Sequence, residues 1–207
     1  MKLGEIKLQA LMLIFPNNVL EYNEENIEEL IYNLKSSGAY SSYLSSSVGA
    51  INRAFSSIEQ RLLSGKGCLN LDMKECKRQN EYISFDLSRY EEILCVSEIY
   101  LDGASIEFNM LTDKILNVKC SRANGTLQLI YHKKLKRINH ATSNNYEIEL
   151  GSIAEAIAYF VKADLLLGEN LEESAMARNI YENMLNEYIA KNGDKACFQT
   201  VYSLGRL

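Results

Sequence analysis

The chain has 207 residues, 47% of them apolar, and carries 27 Asp and Glu against 22 Lys and Arg for a net charge of -5. It is long enough to bury a core without disulfide or metal staples, and its acidic balance argues against a generic nucleic-acid binder, which needs clustered cations to displace counterions. The five cysteines, at 68, 76, 95, 120 and 197, are odd in number and form no Cys-x-x-Cys pair, which reads as scattered reduced thiols of a soluble intracellular protein.

Along the chain, Leu3, Ile6, Leu8, Ala10, Leu11, Leu13 and Ile14 recur at helical spacing, and Pro16-Asn17-Asn18 ends the segment. The apolar run is too short to span a membrane, and no small-residue cleavage site follows it. Asn23 is the candidate N-cap of a second helix bearing Ile27, Leu30, Ile31 and Leu34, which Gly38 ends. The clearest periodicity follows, with Tyr40, Leu44, Val48, Ile51, Phe55, Ile58 and Leu62 on one stripe of a long rod. Its small residues Ser45 to Ser47, Gly49 and Ala50 would let another backbone approach closely. Gly65 and Gly67 close it.

The middle reads as four to six antiparallel strands. Leu94 to Leu101 leads into Asp102-Gly103 and returns through Ile106 and Phe108, while Ile115 to Ser121 reaches Asn124-Gly125 and returns as Thr126 to Tyr131. Such dipeptides between apolar runs are strong hairpin signals. Tyr146 to Leu150 reads as a closing strand. Ser152 and Glu155 have capping-box spacing for a helix with Ile153, Ile157, Phe160, Val161 and Leu165. After the turn Gly168-Glu169-Asn170, a last helix carries Leu171, Ala175, Arg178, Ile180, Tyr181, Met184, Leu185 and Tyr188, antiparallel to its predecessor, and Gly193 stops it.

The expected fold class is therefore α+β: an antiparallel helical bundle from the N- and C-terminal segments, 1–66 and 151–193, with an antiparallel β-sheet inserted over 67–150 and a C-terminal tail at 194–207. Ile51, Phe55, Ile58, Ile157, Phe160, Ile180 and Tyr181 are expected to form the core that joins early and late helices.

No phosphate-binding loop, dinucleotide fingerprint or nucleophile elbow is present. Paired carboxylates such as Glu28-Glu29 and Glu172-Glu173 lie beside helix starts, where they favour the helix dipole. No catalytic residue, metal site or cofactor is assigned. His132 and His140 with Cys68 and Cys76 do not match common zinc spacings, and solvated histidines are the preferred reading. The one dense positive run is His132-Lys133-Lys134-Leu135-Lys136-Arg137. Lys133, Lys134, Lys136 and Arg137 read either as a solvated hairpin end or as a contact for an acidic partner surface or a nucleic-acid backbone. In the tail, Phe198, Val201, Tyr202, Leu204 and Leu207 are costly to leave in water, so 194–207 either folds back as a strand or docks on another chain, with Arg206 available to pair with an acidic rim.

The segment Ala39-Tyr40-Ser41-Ser42-Tyr43-Leu44, followed by Val48-Gly49-Ala50-Ile51-Asn52-Arg53-Ala54-Phe55-Ser56-Ser57-Ile58-Glu59, resembles the first bundle helices of bacteriophage head–tail connector proteins, also called adaptor or head-completion proteins. Glu147-Ile148-Glu149-Leu150, the run from Ala156 to Leu166, Glu169-Asn170, and Ala177-Arg178-Asn179-Ile180-Tyr181 resemble that family's closing strand and paired C-terminal helices. The resemblance covers the helical parts and the order of elements, but no motif of the β region. It implies a non-catalytic ring, usually of twelve subunits, on the portal vertex of the filled capsid. Its partners would be the portal ring, a tail-side neck or tail terminator protein, and further copies of itself, with DNA passing through the lumen without sequence-specific contact. The location implied is the virion neck, assembled in the host cytoplasm, with no membrane. The tail would be disordered in the free chain and order on the portal. The alternative is a cytosolic homo-oligomeric regulator or binding module whose basic hairpin grips an acidic partner.

Overall fold

The structure, a computed structural model, describes residues 1–17, 22–23, 25–61, 63–79, 81–120 and 124–192. It is an α+β fold of two compact units. One is helical and joins Met1–Ile58 to residues 137–192; among the described residues the other, 59–136, holds the last residues of the third helix, the strands and one short turn of 3₁₀ helix. The unit boundaries fall at 58/59 and 136/137, where the sequence reading put them at 66/67 and 150/151.

Helix α1 (Leu3–Ile14) is central to the helical unit, with Leu3, Gly4, Ile6, Lys7, Leu8, Ala10 and Leu11 all buried. At its start, Glu5 accepts the Lys2 backbone N–H at 2.7 Å, filling one of the donor vacancies of a helix N-terminus. Gly4 is required by space: a Cβ there would lie 2.2 Å from Ile27 Cγ2 and 3.0 Å from Asn144 Cβ. Helix α2 (Ile27–Ser36) turns Ile27, Ile31 and Leu34 onto Leu8, Leu11 and Leu44. Its N-cap is Asn26, not Asn23. The Asn23 side chain instead accepts the N–H groups of Glu25 and Asn26, both at 3.0 Å, so the expected cap forms the turn just before the helix. Gly38 ends nothing. The chain passes Ser37 and Gly38 opens α3 (Gly38–Gln60).

Helix α3 buries Leu44, Val48, Ile51, Phe55 and Ile58 of the expected stripe, together with Ala50 and Ala54, while Tyr40 is half-buried and Leu62 lies outside the described residues. Helices α4 (Ile153–Leu166) and α5 (Leu171–Asn192) form an antiparallel hairpin. Ser174 Oγ donates to the Ala163 carbonyl at 2.6 Å, Arg178 lies 4.0 Å over the Phe160 ring, and Phe160 meets Tyr181 edge-on at 5.0 Å. The Tyr181 hydroxyl reaches Ser57 Oγ on α3 at 2.9 Å. Of the expected core, Ile180 is the exception, at 43% exposed. The buried line of α5 runs Ser174, Ala177, Tyr181, Leu185, and a residue next to Tyr181 is rotated about 100° off that line. The expected Ser152–Glu155 capping box does not form, since Ser152 has helical angles and makes no side-chain cap bond. The working cap lies one helix later, where Asn170 Oδ1 accepts the Glu173 N–H at 3.1 Å and its amide donates back to Glu173 at 3.0 Å.

In the β unit the strands are β1 (Lys66–Asp72), β2 (Lys77–Gln79), β3 (Tyr82–Asp86), β4 (Ile93–Leu101), β5 (Ala104–Ser105), β6 (Phe108–Thr112), β7 (Ile115–Lys119) and β8 (Thr126–Lys133). They form two antiparallel four-stranded sheets, ordered β1-β8-β4-β5 and β2-β3-β7-β6. Alternate residues of both sheets, including Ile83, Phe85, Val96, Ile99, Leu116, Val118, Leu127 and Leu129, share one core, a sandwich where a single sheet was expected. Asp102 and Gly103 turn β4 into β5 with successive positive φ of 49° and 85°, the backbone that Asp-Gly favours. Asn124-Gly125 does not close a hairpin: β7 pairs with β3 and β6, and β8 with β1 and β4, so the chain crosses between sheets there. The expected strand at Tyr146 to Leu150 is also absent. Glu147 makes one isolated antiparallel bridge to Lys2.

Two substitutions measure this packing. Phe55→Ala removes a ring only 2% exposed and is expected to cost about 3–5 kcal/mol in denaturant unfolding. Gly4→Ala is expected to cost about 1–3 kcal/mol through overpacking against Ile27; unchanged unfolding would show that α1 has slack where none is seen.

Candidate docking surfaces

The most unusual ionisable group in the helical unit is Lys7, only 4% exposed. Its Nζ donates to Asn144 Oδ1 at 2.8 Å. The Asn144 amide donates to Glu28 Oε2 at 2.8 Å, and the Asn144 backbone N–H and the Ser143 hydroxyl both donate to Glu28 Oε1 at 2.8 Å. Burial, helped by the nearby Lys35 charge and opposed by Glu28, brings the Lys7 pKa down from 10.5 to about 8. Burial pushes the Glu28 carboxyl up, but the hydrogen bonds led by the Asn144 side chain outweigh it and leave its pKa below the ordinary value. This arrangement occupies the amine in tying residues 143–145 to α1 and α2. The clue in the sequence was a lysine one turn after Leu3 and one before Leu11, on the apolar stripe.

The sign of the resulting pH dependence follows from the depressed pKa. Between pH 8 and 10.5 the unfolded chain holds a proton at Lys7 that the folded chain has lost, so this group adds stability as pH rises and withholds it as pH falls. The wild type is expected to gain on a Lys7→Met variant by more than about 1 kcal/mol between about pH 8 and pH 10 in urea unfolding. A constant difference would place the Lys7 pKa at its ordinary value.

The basic run is not the tip of a hairpin. Lys133 is the last residue of β8, and 134–139 continue without strand pairing. Its backbone is nonetheless pinned. Lys133 N–H donates to the Gly65 carbonyl at 2.9 Å, Lys134 N–H to the Glu92 carbonyl at 2.7 Å, and Leu135 N–H to Glu59 Oε1 at 2.7 Å. Ser64 Oγ donates to the Lys133 carbonyl. Beyond it, Asn52 and Ile138 exchange two hydrogen bonds, and Arg137 donates to Ser56 Oγ at 3.2 Å. The side chains of Lys133, Lys134 and Lys136 are exposed along this pinned stretch of the β unit, with Leu135 half-buried among them, and Arg137, the first residue of the helical unit's return, is exposed as well. His132, expected to be solvated, is 3% exposed within β8, while His140 is exposed. Among the described residues no group of three or more His, Cys, Asp or Glu side chains is arranged to hold a metal ion.

Two further surfaces escaped the sequence reading. A cleft of about 360 Å³ in the helical unit is lined by Met12, Leu13, Tyr159 and Met184, with Gln9 and Glu155 as its polar members. At the α4–α5 turn, Leu167 is 62% and Leu171 70% exposed, beside exposed Glu169, Glu172 and Glu173. The signal available was a pair of leucines flanking a Gly-Glu-Asn turn. The tail residues Phe198, Val201, Tyr202, Leu204, Arg206 and Leu207 lie outside the described residues. No helix among the described residues is long and apolar enough to cross a membrane. No protein-family model matches the chain, and no match is found among curated proteins.

Changing Lys133, Lys134, Lys136 and Arg137 together to serine is expected to leave melting unchanged and to weaken self-association or partner binding at low salt, with the difference shrinking as salt rises. Equal association at every ionic strength would make the run a plain solvated surface.

Proposed function

We propose that the chain is a structural ring subunit of a bacteriophage neck. It would seat between the portal and the tail, extend the DNA channel and complete the head. The observation that carries this reading is the build of the chain: helices α1–α3 and the α4–α5 hairpin form one unit, and the β unit is inserted between them. That is the order of elements implied by the resemblance to head–tail connectors. Exposed apolar side chains support it, since they suit a protein whose surfaces are covered in an assembly. The work proposed is mechanical, without catalysis. The partners are the portal ring, a tail-side neck or tail terminator protein, and neighbouring copies, with DNA passing through the lumen without base-specific contact. The location proposed is the virion neck, reached from the host cytoplasm.

A second reading, a cytosolic oligomeric binding module, draws on the basic run held on a pinned backbone, a ready grip for an acidic partner. The two differ in what the residues after α5 do. In the connector reading, Phe198, Val201 and Tyr202 fill apolar pockets of the portal and Arg206 pairs with an acidic rim. A single tail binds weakly, because ordering costs roughly 1–2 kcal/mol per residue, and a ring offers many tails at once. Truncation after Gly193 is expected to leave a folded protein that no longer attaches to portal-bearing capsids. Normal attachment of the truncated protein would remove the tail as anchor, and its unfolding would favour the binding module.

A further inference from the structure

Two exposed surfaces of this chain are complementary in charge, and each sits on a rigid frame. The first is the part of the basic run in the β unit, with Lys133, Lys134 and Lys136 exposed around half-buried Leu135. Its backbone is fixed by Gly65, Glu92 and Glu59. The second is the α4–α5 turn. It presents Leu167 and Leu171, at 62% and 70% exposed, together with Glu169, Glu172 and Glu173. No Lys or Arg occurs between Lys162 and Arg178. Lys162 pairs with Glu173 at 3.1 Å, and Arg178 stacks over Phe160. Glu169 receives the Tyr43 hydroxyl, a neutral donor that leaves its charge uncompensated. The turn is held by the reciprocal Asn170–Glu173 cap and by Asn170 N–H on the Leu166 carbonyl at 2.8 Å.

We propose that the basic run of one copy docks on the acidic, apolar α4–α5 turn of the next copy. The proposal rests on the ring reading above and names the contact that would close the ring. The cations meet Glu169 and Glu172, and Leu135 faces Leu167 and Leu171, an apolar match that a phosphate backbone does not offer. A net charge of -5 also sets the chain as a whole against a polyanion. The two surfaces differ, so the contact is head-to-tail, and repeating it yields a closed ring or an open helix rather than a two-fold dimer. Fixed backbones on both sides reduce the ordering that association requires.

The test is complementation by charge reversal in the full chain, read by sedimentation at low and high salt, with melting curves to verify folding. The wild type is expected to form multi-copy species at low salt that dissociate as salt screens the contact. K134E/K136E and E169K/E172K are each expected to associate about tenfold or more weakly, because like charges now face each other. Mixed in equal amounts they should regain assembly, since each reversed run then meets a turn of opposite sign. Variants that fold and assemble as the wild type does would overturn the contact while leaving the ring reading intact. So would a mixture that stays dissociated, or a wild type that remains single at low salt yet seats on portal-bearing capsids. A wild type that does neither would overturn both.

Discussion

Asn144 is the point on which the helical unit closes. Its backbone N–H and side-chain amide both go to Glu28, its side-chain oxygen takes the Lys7 amine, and its carbonyl takes the Gly4 N–H at 2.8 Å. The unit is made of two stretches of chain separated by the whole β insertion, so nothing local holds the second stretch against the first. The two Asn52–Ile138 bonds begin that attachment, this clasp carries it on, and two backbone bonds extend it: Leu3 N–H to the Tyr146 carbonyl at 2.8 Å and Ile148 N–H to the Met1 carbonyl at 2.9 Å. The chain then enters α4, where Ile153, Ile157, Phe160 and Val161 are buried. A buried amine is costly when unpaired, and an amide that satisfies Lys7 while bonding the exposed Glu28 carboxylate turns that cost into a condition on geometry. Gly4 belongs to the same constraint, because only a residue without a side chain lets α1 approach both Ile27 and Asn144.

The helices were legible because burial imposes a period. Leu44, Val48, Ile51, Phe55 and Ile58 each fall where the stripe of α3 requires. Features that depend on distant partners were not. Asn144 reads as one polar residue among several in a loop, and its meaning comes from Lys7, 137 positions away. The Asn124-Gly125 signal misled for a related reason. A turn dipeptide states how the chain bends, whereas strand pairing is settled by which apolar faces meet, and β7 and β8 belong to opposite sheets of one core. Strands β1 to β3 were missed because Met73-Lys74-Glu75 forms a 3₁₀ turn that breaks the alternation after β1, and β2 beyond it has only three residues. Caps went astray by one element: Asn170 does for α5 what Ser152 was expected to do for α4. Of the surfaces, the basic run was visible as composition. The acidic leucine turn was not, since exposure of Leu167 and Leu171 is a fact of tertiary packing.

The same construction bears on function. In the helical unit the Asn170–Glu173 cap and the Asn170–Leu166 bond hold the α4–α5 turn, and the β unit fixes the backbone of Lys133 to Leu135. Rigid surfaces of opposite charge on one chain are what a repeating assembly uses to set its register. The proposal of a neck ring joins this build to the resemblance carried by the helices. It is tested most directly by electron microscopy of phage particles carrying a small gold-binding tag at the N-terminus of this chain. The account predicts label arranged as a ring at the single vertex joining head and tail. Particles without label there, with the tagged chain found only in the soluble fraction of the cell, would contradict it.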